Sequence, residues 1–94
     1  MSEPYRSTPI FDETSLPAAL RRDHCTKPGV WGVIRVLEGR LRLERAGGEP
    51  SVLGPGEPGL VRPGEPHRVE PLGPIRMRVD LHASRPDLEP AAGP

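Results

Sequence analysis

This chain is poor in the residues that usually announce a function. One cysteine, Cys25, excludes an intrachain disulfide and fits a reducing compartment. Aromatics are limited to Tyr5, Phe11 and Trp31. Thirteen basic residues balance thirteen acidic ones, and the positive field that draws a protein to nucleic acid or anionic lipid is missing. No nucleic-acid partner is therefore expected. No apolar run approaches the ~20 residues of a membrane span, and the N-terminus lacks the basic-then-apolar form of a signal peptide. A cytoplasmic protein without a membrane partner is the expectation.

Proline and glycine are abundant instead, at 14 and 11 of 94 residues, near the level at which unpatterned chains are often disordered. Against disorder stand 21 Leu, Ile, Val and Phe residues arranged in period-two runs. Proline then marks loops between short strands. Ninety-four residues make one small domain with a thin core, which leaves room for support from a second subunit, as a homodimer, or from a bound metal.

The stretch from Trp31 to Glu44 organises the rest. Ile34 and Val36 alternate with Val33, Arg35 and Leu37; Glu38-Gly39 offers a turn; Leu41 and Leu43 alternate with Arg40, Arg42 and Glu44. This reads as a β-hairpin, because a helix would need apolar residues at three- and four-residue spacing. Further strands are predicted at Ser51–Leu53, Leu60–Val61, His67–Glu70 and Ile75–Leu81, with a single helical turn near Pro17–Arg22. Gly54-Pro-Gly-Glu-Pro-Gly59 matches a dinucleotide fingerprint in spacing only. It has no helix to follow it, so it reads as a loop and implies no nucleotide cofactor. Short antiparallel strands between Gly/Pro turns predict an all-β sandwich or small barrel. Residues 1–15 form an arm packing on it, residues 16–83 the barrel, and residues 84–94 a Pro/Ala-rich tail. Ile34, Val36, Leu41, Leu43, Val69, Met77 and Val79 should share the interior.

Few residues carry chemistry. His24 and His67 lie in polar stretches beside turns, and Cys25 is a potential soft ligand beside the first. Glu70 is three residues after His67, so on an ideal strand the two point to opposite faces. Both reach one metal only if the strand twists or bulges near Pro71. His82 continues the polar Arg76, Arg78, Asp80 face and is expected to meet solvent.

Arg62-Pro-Gly64-Glu-Pro-His67, with Gly56 upstream, resembles the second cupin motif, in which Arg62 replaces the usual proline. Val36-Leu-Glu-Gly39 resembles the end of the first. Tyr5-Arg-Ser-Thr-Pro-Ile-Phe11, Leu16-Pro-Ala-Ala-Leu20, His24-Cys-Thr-Lys27, Gly29-Val-Trp-Gly32 and Pro66-His-Arg-Val69 together resemble the TehB/YeaR-like domain. That family consists of single-domain cupin relatives from tellurite-resistance and nitrate-responsive contexts, and the likeness covers most of residues 5–82. The resemblance implies a cupin jelly roll and a binding or stress-response module with a small-molecule ligand or a divalent metal (zinc, iron or nickel) in its mouth. It carries His24 and His67 over as metal ligands, with Glu70 as a candidate third. The departures are that His24 is one residue out of register, Thr26 stands near the second histidine's place and Gly32 at the glutamate's. Two other readings stay open: a small metal-dependent enzyme, with Glu70, Glu38 or Lys27 as acid or base and no catalytic residue assigned, and a purely structural dimerising domain.

Overall fold

The computed structural model describes residues 4–22, 28–46 and 48–86. Eight strands and one short helix make up these residues: β1 Arg6–Ser7, β2 Phe11–Asp12, a 3-10 helix Ala18–Arg21, β3 Trp31–Glu38, β4 Leu41–Arg45, β5 Ser51–Leu53, β6 Gly59–Val61, β7 His67–Pro71 and β8 Arg76–His82. They form two antiparallel sheets, a larger one ordered β1-β8-β3-β6, with β2 also on β8, and a smaller one ordered β5-β4-β7. Their pairing stays separate, so the domain is an all-β sandwich and not a closed barrel.

Period-two alternation decides what fills the space between the sheets. Ile34, Val36, Val61 and Met77 come from the large sheet, and Leu41, Leu43, Leu53 and Val69 from the small one; Leu16 and Ile75 join them from the connections. Val79 packs against this cluster while remaining partly exposed. The seven residues expected inside therefore do share one core. Gly59 also faces it: a Cβ there would stand 2.6 Å from a Leu53 methyl and 3.0 Å from one of Leu43, so a side chain at this place would have to push both leucines aside.

The hairpin does not form. Trp31–Glu38 and Leu41–Arg45 are both strands, but β3 pairs with β6 and β8 while β4 pairs with β5 and β7, in the other sheet. A register shift between Val36 and Glu38 bends β3, and Gly39, at φ +79°, then carries the chain across to the small sheet. A side chain at Gly39 would collide with the Pro74 carbonyl and Ile75, because the β7–β8 connection returns through the same gap. The Leu72 amide donates to the Arg40 carbonyl at 3.0 Å and fastens the two crossings together.

The N-terminal segment lies along β8. Arg6 and Ser7 pair with Leu81 and Asp80, and Phe11 and Asp12 with Met77 and Arg76. Between them the Thr8 hydroxyl accepts the Val79 amide at 2.9 Å. Asp12 then organises the turn that leads to Leu16. Its Oδ1 accepts the Thr14 hydroxyl and the Thr14 and Ser15 amides at 2.7 to 2.8 Å, and these donors, led by the Thr14 hydroxyl, hold its pKa at about 2. Among the described residues no helix is long and apolar enough to cross a membrane.

Candidate functional site

β7 starts at one end of the sandwich, and its register on β4 runs unbroken from Arg45 opposite His67 to Leu41 opposite Pro71. Alternation then sends His67 and Val69 inward and Arg68 and Glu70 outward, which the burial of the first two and exposure of the last two confirm. His67 is only 5% exposed. Its Nδ1 lies 3.0 Å from the Glu65 carbonyl oxygen. A carbonyl can only accept, so Nδ1 carries the proton in this contact. A main-chain carbonyl fixing a histidine in this way is the support that ligating histidines usually have.

Arg45, opposite His67, reaches across the sandwich. Its Nε donates to the Leu60 carbonyl at 2.9 Å, joining the small sheet to the edge strand β6 of the large one. Arg45, Gly48, Leu60, Arg62 and Glu65 line an open cavity of about 320 Å³. Glu65 thus both borders this cavity and meets His67 through its carbonyl.

The other predicted site residues that are described, Glu70 and Glu38, do not gather here. His24, Cys25 and Lys27 lie outside the described residues. Glu70 is on the outer face of the small sheet, beside Arg21, Glu44, Arg68 and Val69 around a separate cavity of about 250 Å³. The strand has no bulge that would turn it toward His67. Glu38 is exposed and sits 3.0 Å from Arg76 Nε. Among the described residues no three His, Cys, Asp or Glu side chains are grouped as a metal would need.

His82 departs from expectation. It is 4% exposed, and its Nε2 is buried with no hydrogen-bond partner. It lies opposite Trp31 on the outer face of the large sheet, where Trp31 is half-buried and stacks under the Arg85 guanidinium, 5.9 Å from the ring centre. Asp80, on the same face, is 3% exposed. Its carboxylate accepts the Ser7 hydroxyl at 2.8 Å, Arg78 Nε at 3.0 Å and Arg35 Nε at 3.3 Å. Burial pushes its pKa up; the Ser7 hydroxyl, Arg78 and Arg35 together outweigh that and hold it below the ordinary value. Sequence reasoning missed this cluster, since Ser7 is 73 residues from Asp80.

The fold has relatives of known structure. An Escherichia coli K12 protein superposes with a TM-score of 0.80 over 90% of this chain and 93% of its own, at 19% identity. TehB from Haemophilus influenzae matches with a TM-score of 0.77 at 26% identity over 86% of this chain; the match takes in 31% of TehB. A Neisseria meningitidis protein gives 0.57 at 14% identity, covering 87% of this chain and 88% of that one. No curated protein sequence matches the chain. The TehB-like domain model matches residues 6–79, most of the two sheets and the whole of the His67 strand, and the chain belongs to the TehB-like domain family.

Proposed function

We propose that this domain is a cupin-type binding module that holds a divalent metal ion or a small ligand at the end of the sandwich where His67 begins β7. The observation that carries this reading is the histidine itself. His67 is withdrawn from solvent, its Nδ1–H is committed to the Glu65 carbonyl, and its cross-strand partner Arg45 and its carbonyl partner Glu65 both line an open cavity. The repeated passage of the chain between sheets, with β3, β6 and β8 in one and β4, β5 and β7 in the other, is the winding expected of a jelly roll.

In a metal form, His67 supplies one nitrogen and His24 is the second ligand that the family resemblance suggests. Glu70 faces away, so water or the bound molecule completes the shell; zinc sites of the catalytic kind keep such an open position. When bound, a metal would supply Lewis acidity. The kinship with TehB makes tellurite resistance a context for this module. The match takes in 31% of TehB, so that protein's own activity is not assigned to these residues.

Elemental analysis of untagged protein, before and after loading with zinc, iron and nickel, tests the metal form. The parent should retain metal, His67→Ala should lose it while keeping the circular dichroism of the parent, and Glu70→Ala should keep it. Retention by His67→Ala equal to that of the parent, or no uptake by the parent, would remove the metal reading.

A further inference from the structure

The large sheet sets two arginines directly side by side on its outer face. Arg35 in β3 is the cross-strand partner of Arg78 in β8. Like charges at directly opposed positions destabilise a sheet unless something between them is negative. Asp80 answers part of this. Two residues along β8 on the same face, it takes Arg78 Nε at 3.0 Å on one carboxylate oxygen and Arg35 Nε at 3.3 Å on the other.

Both arginines meet Asp80 through Nε. Among the described residues neither spends its terminal Nη groups on a hydrogen bond. The two arginine side chains are 37% and 39% exposed, whereas the Asp80 side chain is 5% exposed. One carboxylate therefore lies beneath two guanidinium groups, pinning their inner edges and leaving the outer edges to solvent. Ser7, reaching Asp80 from β1 at 2.8 Å, donates to the carboxylate oxygen that Arg78 also meets. A small cavity of about 140 Å³ adjoins them, lined by Arg35, Arg78, Val36, Leu37 and the Gly56–Pro58 loop. The Glu57 carboxylate in that loop accepts the Gly54 amide at 3.1 Å on Oε1, which ties it to its own turn while its charge remains.

We infer that Arg35 and Arg78, oriented by Asp80, form a binding site for the oxyanion group of a small ligand, a carboxylate or a phosphate. The planar fork of a guanidinium matches two oxygens of either group, and two forks side by side grip it at more than one point. The cavity admits such a group and little more. Burial of Asp80 makes the site preorganised, because the arginines are held in place before any anion arrives. This site lies on the outer face of the large sheet, apart from the His67 end, and stands whether or not that end binds a metal.

Titration of the isotope-labelled full chain with inorganic phosphate and, separately, with succinate, followed at the arginine Nε–H resonances, tests the inference. Arg35 and Arg78 signals should shift saturably with at least one probe. Saturation by phosphate alone identifies a phosphate-bearing ligand, and by succinate alone a carboxylate. Arg35→Gln and Arg78→Gln should each weaken binding about tenfold or more, as loss of a charge-assisted hydrogen bond implies. Arg42→Gln, on the small sheet's outer face, should leave it unchanged. Absence of saturation with both probes up to tens of millimolar, or equal weakening by Arg42→Gln, would overturn the inference; Arg35→Lys, which keeps the charge, serves in place of a glutamine variant that fails to fold and should still weaken binding through loss of the fork.

Discussion

On the small sheet the outward side chains of β4 and β7 are Arg42, Glu44, Arg68 and Glu70; on the large sheet those of β3 and β8 include Arg35, Arg78 and Asp80. Both groups alternate with core residues, and both mix charges of opposite sign. On the small sheet the arginines around Glu44 are 44% and 52% exposed, with contacts of 3.3 to 3.8 Å. On the large sheet the central carboxylate is buried and triply bonded, beside Val33 at 0% and His82 at 4% exposure. The strand period sets which side a residue takes, while the neighbours brought by pairing set whether that side is wet. Here the N-terminal arm brings Ser7 to Asp80, and no arm of this kind pairs with the small sheet among the described residues.

Both faces rest on one interior, so the largest effect should come from removing part of it. Leu41 is fully buried in β4, in contact with the core that the two sheets share. Leu41→Ala should cost about 2 to 5 kcal/mol in urea unfolding. A loss below about half a kilocalorie would show that the inward face of β4 is not packed.

That interior was legible in the sequence because alternation reports it locally. Ile34, Val36, Leu41 and Leu43 needed only their own strands to be placed. The pairing of those strands was not legible, since a turn at Glu38-Gly39 looks alike whether the chain folds back on itself or crosses to another sheet. One signal did exist. Trp31, Val33, Ile34 and Val36 put apolar residues on both sides of β3, as befits a strand buried on both faces and flanked by two neighbours. At the candidate site, strand parity correctly set His67 against Glu70, and the smooth β4–β7 register removes the bulge that would have joined them. Asp80 and His82 were read as solvent-facing because their cover comes from residues distant in the chain.

The next effect sharpens the contrast between the faces. Asp80→Asn removes a charge that three donors serve and leaves Arg35 opposite Arg78. Breaking a buried pair costs several kcal/mol; both arginines here are more than a third exposed, and solvent screening lowers the expected loss to about 1 to 3 kcal/mol. The pH dependence carries the sign. Asp80 has its pKa lowered in the folded protein, so its stabilisation is complete above the unfolded value of about 3.9 and is lost as pH falls through the folded one. The gap between parent and Asp80→Asn should be full at neutral pH and close in acid. A gap constant down to pH values below that range would mean the carboxylate's charge is not what stabilises the fold.

The smallest effect belongs to the corresponding change on the small sheet. Glu44 faces Arg42 Nε at 3.8 Å and Arg68 Nε at 3.3 Å, with Arg68 Nη2 also 3.3 Å from its other oxygen. The geometry looks as rich as that around Asp80. Exposed ion pairs nevertheless contribute little, because water solvates the separated charges almost as well and ordering two long side chains costs entropy. Glu44→Gln keeps the shape and removes the charge, and should shift stability by less than about 0.5 kcal/mol, with the difference shrinking further in high salt. The paired urea midpoints of Glu44→Gln and Asp80→Asn, at low and high salt, measure the two faces on one scale. Equal losses would mean that the number of contacts, and not the burial supplied by the N-terminal arm, decides what a charge contributes to this sandwich.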